Sequence, residues 1–176
     1  MNLSIIVRLL TLEDAAAYRR LRLWSYQESP FAFSESYEDE RNKPLSEFRE
    51  ELVMNGSPPK WFVLGAFNDE DELLGFLKFR RDLRSKAHHK GMIHAMYIDP
   101  KYRQRGIGTK LINDLLDRTS KMKGLEQIHL WVLHTDASAA KFYLKCGFEN
   151  QGRVKNDLKV GDIYFDTEYL VLYLNH

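Results

Sequence analysis

The feature that most constrains this chain is the hexapeptide Arg103-Gln104-Arg105-Gly106-Ile107-Gly108 together with its flanks. An apolar run, Ile93 to Ile98, precedes it. A segment with helical apolar spacing, Thr109 to Met122, follows, carrying Leu111, Ile112, Leu115, Leu116 and Met122 along one stripe. A strand therefore runs through a glycine-bearing turn into the start of a helix. The first backbone N–H groups of a helix lack intrahelical partners, and the helix dipole presents its positive end there. Such a terminus binds phosphate. Gly106 and Gly108 carry no Cβ, so a ligand can come close to the main chain. Arg103 and Arg105 add charge and bidentate donors suited to a pyrophosphate. The plain alternative is a tight turn before a helix, with two solvated arginines.

The glycine spacing excludes the two commonest nucleotide loops. A P-loop needs four residues between its glycines and then Lys-Ser/Thr, and a dinucleotide fingerprint needs a third glycine after Gly108. The pattern here is R-x-x-G-x-G. Further along stands Asp136-Ala137-Ser138-Ala139-Ala140-Lys141-Phe142-Tyr143-Leu144-Lys145-Cys146-Gly147-Phe148. In this order, with the strand-like run Ile128 to Leu133 between them, the two motifs resemble the signatures of the GNAT superfamily of acetyl-CoA-dependent N-acetyltransferases. The resemblance is close over residues 91 to 154. Asp136 departs from the family's usual Asn. A carboxylate still caps a helix, but it cannot donate and its charge disfavours nearby phosphate.

The rest of the chain reads as a continuous α/β order. Strands are expected at Ser4 to Leu10, Trp61 to Phe67, Leu73 to Phe79, Ile93 to Ile98, Ile128 to Leu133, Phe148 to Val154 and Ile163 to Leu174. The almost entirely apolar Ile128 to Leu133 reads as a central strand covered on both faces. Thr11 to Asp14 resembles a capping box opening a first helix, with Ala17, Leu21 and Trp24 on one face and Pro30 closing it. Leu45, Phe48 and Leu52 mark a second helix ended by Asn55-Gly56, and Asp136 caps a last one. The resemblance implies a GNAT-like α/β fold over residues 1–176 as one domain. Its central sheet is mixed and mostly antiparallel, with the parallel fourth and fifth strands splayed apart and helices on the flanks.

The resemblance also implies roles. Acetyl-CoA would lie in the splay. Main-chain groups of Met96, Tyr97 and Ile98 would pair with its pantetheine arm, since its amides and the splayed backbone can satisfy each other. Arg103, Gln104, Arg105, Gly106, Ile107, Gly108 and Thr109 would hold the pyrophosphate, with Asp136 a weak contact or an ordinary N-cap. An amine attacking a thioester needs a base, a donor to the carbonyl oxygen and a proton for the leaving sulfur. The Ile98 N–H would serve the carbonyl oxygen and Tyr143 the sulfur, against a purely core role for Tyr143.

No glutamate lies between Gly91 and Ile98. His94, with an ordinary pKa of ~6.5, is either the base or a satisfied strand histidine. The run His94-Ala95-Met96-Tyr97-Ile98 resembles the matching strand of arylalkylamine acetyltransferases, where a histidine works. Glu28, Glu35, His129 and His134 are fallbacks, and a water chain or deprotonation in solution is the remaining alternative. The acceptor would be an amine-bearing small molecule or peptide, reached through Glu28 to Lys43, where aromatics and carboxylates suit a cationic amine. A non-catalytic acyl-CoA-binding module is the alternative on the same fold.

Composition narrows the partners. The formal net charge is +1, from 26 basic and 25 acidic residues, so nothing draws the whole chain to nucleic acid or an anionic membrane. Apolar runs fall short of the ~20 residues of a membrane span, and the first residues lack the pattern of a signal peptide. The lone Cys146 precludes an internal disulfide and suits the reducing cytoplasm. Among Cys and His residues none has metal-site spacing. The long apolar strand Ile163 to Leu174, near a sheet edge, suggests a homodimer.

Overall fold

A continuous apolar run cannot offer either face to water, so Trp61-Phe62-Val63-Leu64-Gly65-Ala66-Phe67 has to lie inside the molecule. A computed structural model of the chain describes residues 4–53 and 59–174, and this run is its strand β2 (Trp61–Phe67), buried along nearly its whole length. The other strands are β1 (Ile6–Leu9), β3 (Leu73–Arg81), β4 (Lys90–Ile98), β5 (Gln127–Leu133), β6 (Glu149–Val160) and β7 (Ile163–Tyr173). The helices are α1 (Ala15–Glu28), α2 (Tyr37–Glu40), α3 (Leu45–Leu52), α4 (Ile107–Thr119) and α5 (Ala137–Lys145). One seven-stranded sheet runs in the order β1-β2-β3-β4-β5-β7-β6. The β4–β5 pair is parallel and the rest are antiparallel. This is the mixed α/β architecture expected from the sequence.

Strand alternation sends β2 side chains to two cores. On one face Phe62 and Leu64 meet Leu77, Phe79, Ile128 and Leu130 under Leu111, Ile112 and Leu115 of α4. On the other, Val63 joins Phe76, Ala95 and Tyr97 under Tyr18 and Leu21 of α1 and Phe48 and Leu52 of α3. Burying a side chain of this size contributes ~1.5–3 kcal/mol, so these two layers dominate the stability. Gly91 sits where β3, β4 and the first core converge. A Cβ there would overlap the Phe79 ring, so β4 can pack this closely only at glycine.

Several expectations need correction. The buried stripe of α1 is Ala15, Tyr18, Leu21, Arg22, Ser25 and Tyr26, of which Ala15, Tyr18 and Leu21 join the second core, while Trp24 is 46% exposed. The carboxylate of the Thr11 capping box is Asp14, and it opens a short 3₁₀ turn that leads into α1. The segment between α1 and α3, read as loop, contains α2, capped by Ser36 and Asp39 in the same Ser-x-x-Asp pattern. Asn55-Gly56 lies outside the described residues. β5 is central but covered unevenly, because Trp131 on one face is 44% exposed. β6 continues through the expected loop to a tight turn at Gly161, whose φ is +59°. β7 pairs with β5 from Thr167 to Tyr173 and with β6 from Ile163 to Val171, so it lies inside the sheet rather than at its edge. The open edges are β1 and β6. Among the described residues no helix is long and apolar enough to cross a membrane.

Candidate active site

The β4–β5 ladder consists of three pairs, Lys90 with Gln127, Gly91 with Ile128 and Met92 with His129. Beyond Met92 the two strands part. A bulge follows at once: Lys78 of β3 opposes Ala95 and Phe79 opposes Ile93, which leaves His94 as the extra residue. A bulge bends its strand and re-aims a side chain. Here it turns β4 away from β5 and leaves His94 exposed at the fork. The fork leaves backbone amides of two strands facing an opening, where an extended ligand with its own amides could satisfy them.

Tyr143 enters the fork from α5. Asp136 starts that helix by accepting a hydrogen bond from the Ala139 N–H at 2.9 Å. Gly147, with φ +93°, ends it. Phe142 and Phe148 flank the Tyr143 ring edge-on, at 5.2 and 5.5 Å between centroids. The ring is 9% exposed, and its hydroxyl donates to the Met96 Sδ at 3.5 Å. A thioether is a weak acceptor, so this proton is held loosely and already points at a sulfur. Burial, then the nearby Cys146 and Asp136, raise the Tyr143 pKa above the usual tyrosine value. The group stays protonated at neutral pH, which is the state a proton donor needs.

His94 and Tyr143 line one small cavity, about 110 Å³, with Phe33, Met96, Trp131 and Asp136 among its walls. His94 is exposed at this cavity. Partial desolvation, then the charges of Lys78 and Arg80, lower its pKa below 6.5. The imidazole is therefore neutral at pH 7 and free to accept a proton.

A second cavity, about 450 Å³, opens from Tyr143 along Met96, Tyr97 and Ile98 to Arg103, Gln104 and Gly108, with Asp136, Ser138 and Phe142 on its far wall. Eight of the residues picked out from the sequence meet there: Met96, Tyr97, Ile98, Arg103, Gln104, Gly108, Asp136 and Tyr143. Gly106 has φ +77°, and the position of its missing Cβ is open space, so it serves both the turn and close approach. The length and lining of this cavity fit a phosphopantetheine cofactor: amides along the strand, a donor-rich turn at the end and Tyr143 at the reactive tip.

Other placements differ from the expectation. Gly108 is buried, and a Cβ would press Phe142 Cζ at 3.0 Å and Met96 Cε at 3.2 Å, so its smallness serves helix packing. The Ile107 side chain lies in the core, 1% exposed, which leaves only its backbone for a ligand. The Tyr97 side chain turns away into the second core. Arg105 lies over the Tyr102 ring, and Thr109 is exposed.

Arg103 is not a free arginine. It donates to Glu28 Oε2 at 2.7 Å and to the Ile98 carbonyl at 3.0 Å. Burial opposes ionisation of Glu28, but hydrogen bonds from Ser29 and Arg103 outweigh it and hold the carboxyl below its usual range. Glu28 is thus engaged by Arg103 and Tyr97, away from His94. Glu35 pairs with Arg22 at 3.6 Å, and His134 pairs with Glu168 at 2.5 Å. His129 is 4% exposed, hydrogen-bonded to Tyr169 and Gln127, and pushed down to about 4, mainly by desolvation. Of the five candidate bases only His94 reaches the cavity that holds Tyr143. Phe33 and Trp131 are walls the sequence did not single out as site residues. Phe33 lay within the acceptor segment, while Trp131 was hidden in a run that reads as core.

Comparison with known proteins agrees with this geometry. The model of the acetyltransferase (GNAT) family matches residues 18–148. An uncharacterised N-acetyltransferase of Methanocaldococcus jannaschii is 40% identical over 68 residues, 39% of this chain and 30% of that protein. The match thus spans under a third of that relative. The spermidine N(1)-acetyltransferase of Thermoplasma acidophilum is 29% identical over 154 residues, 84% of this chain and 89% of that protein. The structure of yncA from Salmonella typhimurium, solved with its cofactor acetyl-CoA, superposes with a TM-score of 0.81 at 15% identity, covering 98% of this chain and 95% of that one. With a family model spanning most of its length and the forked sheet in place, this chain belongs to the GNAT family of acetyltransferases.

Proposed function

We propose that residues 1–176 form one acetyl-CoA-dependent N-acetyltransferase domain in which His94 and Tyr143 act on opposite ends of the transfer. The observation that carries this reading is the shared cavity of a neutral imidazole and a buried, protonated phenol at the fork of β4 and β5. Acetyl-CoA supplies an acetyl group activated as a thioester. His94 removes a proton from the acceptor amine, and the Tyr143 hydroxyl gives a proton to the departing sulfur. The backbone of Met96 to Ile98 orients the pantetheine arm, and the N–H of Ile98 faces the carbonyl oxygen. Arg103, Gln104, Arg105, Gly106, Ile107, Gly108 and Thr109 cradle the pyrophosphate, with Arg103 exchanging Glu28 for phosphate. Asp136 acts as a helix cap at the cavity wall. The acceptor is a primary amine of a small molecule or peptide, and a cytoplasmic location fits the lone cysteine.

Release of thiol from acetyl-CoA over a panel of amines tests the activity directly. Binding is tested by melting. A ligand specific for the folded state at a hundredfold excess over its dissociation constant adds ~2.7 kcal/mol of apparent stability. CoA should raise the melting temperature accordingly. Gly106→Glu should abolish the rise, since it puts a carboxylate and a strained φ where phosphate binds. An unshifted melting curve for the native protein at saturating CoA would overturn the proposal.

Assembly belongs to the same reading. β6 is an open sheet edge whose side chains are almost all exposed. A second copy pairing along β6 gives a homodimer, and a monomeric mass at micromolar concentration would count against it.

A further inference from the structure

A third cavity, about 550 Å³, also reaches His94; it is bounded by the ends of β3 and β4 and floored by His129 and Tyr169. Its walls carry Arg80, Arg81, Arg84 and Lys90 against one carboxylate, Asp82. Arg84 and Asp82 neutralise each other, with Nη2–Oδ2 at 2.5 Å and Nε–Oδ1 at 3.0 Å. Arg81 is fixed by donating to the carbonyls of His88 at 2.6 Å and Lys123 at 3.0 Å, which positions its charge without cancelling it. Among the described residues Arg80, Arg81 and Lys90 have no ion-pair partner. The floor adds no negative charge, because His129 is neutral and its hydrogen-bond partners are the uncharged Tyr169 and Gln127.

A concave site lined by one sign of charge focuses its field on the opposite sign. Its size is that of a small-molecule site. His94 lies on the wall of this cavity and also of the cavity that holds Tyr143. An acceptor whose amine is at His94 can place its remaining groups in this cavity, toward Arg80 and Lys90. A polycation would meet uncompensated positive charge there. The aromatic and acidic segment between α1 and α3 lies across the fork, and its carboxylates are already engaged: Glu35, Glu38 and Glu40 pair with Arg22, Arg41 and Lys43, and Asp39 caps α2.

Resting on the transferase reading above, we infer that the acceptor is a small primary amine that also carries an anionic group, a carboxylate or a phosphate, held by Arg80 and Lys90 in the cavity beside His94. A hydrogen bond to a charged group is worth enough to favour an anionic acceptor over its neutral twin by roughly tenfold or more.

The test pairs amines that differ only in that group: leucine with leucinamide, phosphoethanolamine with ethanolamine, and spermidine as the cationic extreme. Thiol release is measured with each, and so is the melting shift of the CoA-saturated protein. The anionic member of at least one pair should give the higher kcat/KM and the larger shift. The pair that responds distinguishes carboxylate from phosphate. The double variant Arg80→Gln, Lys90→Gln should bring that ratio near parity through a raised KM, with the CoA-induced shift unchanged. Equal rates within both pairs, a preference for spermidine, or a ratio untouched by the double variant would overturn the inference. The melting arm separates the two claims. A CoA shift with an anionic-acceptor shift but no thiol release would sink the transferase reading and leave the anion site standing. Thiol release without anion preference would do the reverse.

Discussion

Tyr143→Phe should lower turnover by about 10²–10⁴-fold, the usual worth of a positioned proton donor. The substitution keeps the ring and its edge-on contacts with Phe142 and Phe148 and removes only the hydroxyl. Little stability should go with it. The hydroxyl donates to a thioether at 3.5 Å, a weak bond, and a neutral hydrogen bond contributes only ~0.5–1.5 kcal/mol net. The melting temperature and its rise with CoA should therefore stay close to those of the native protein. This combination separates a donor to the leaving sulfur from a core tyrosine. If the Phe variant turns over at near the native rate, Tyr143 is part of the packing and nothing more.

The second large effect is expected at His94. His94→Gln retains a polar side chain that cannot accept a proton at neutral pH, and kcat/KM should fall by about 10²–10⁴-fold at pH 7. The pH dependence supplies the sharper readout. The base works as neutral imidazole, and desolvation with Lys78 and Arg80 favours that form. Activity is then full above the lowered pKa and declines as pH drops through it. The acid limb of kcat/KM in the native enzyme should consequently lie below pH ~6.5, the value for an unperturbed histidine. It should disappear in His94→Gln. An acid limb unchanged by the substitution would assign it to another group and return the base to solvent. Lys78→Gln, which removes the largest charge contribution, should move the limb upward and toward the ordinary value.

These expectations rest on different kinds of legibility. The turn proposed to hold the pyrophosphate could be located directly, because its signals are local: glycines at Gly106 and Gly108, cations at Arg103 and Arg105, and a helix start following a strand. Tyr143 was legible through its helix motif. His94 stood out as the imidazole on its strand and by the resemblance of His94 to Ile98 to a family strand, but not by its placement, since a bulge leaves no mark in sequence when no glycine or proline makes it. Trp131 was misread because an apolar run looks the same whether or not a helix covers its second face. The α2 turn was missed although Ser36 and Asp39 carried a capping pattern, because four residues give too little periodicity to register.

The sequence by itself determined the order of the seven strands and of α1, α3, α4 and α5, and the turn at Arg103 to Gly108. Each is encoded within a few residues by periodicity, capping or glycine geometry. Tertiary structure alone decided what depends on contacts between distant segments. The β4–β5 ladder stops after Met92, which makes the fork, and the bulge opposite Lys78 and Phe79 turns His94 into it. Glu28 lies 75 residues from Arg103 in the chain yet holds it at 2.7 Å, which engages a candidate base away from His94. Arg80 and Lys90 become one charged wall because β3 and β4 pair antiparallel, bringing their ends to the same side of the cavity. The stretch from Arg80 to Lys90 is already basic along the chain, and the β3–β4 hairpin is what gathers that charge beside His94.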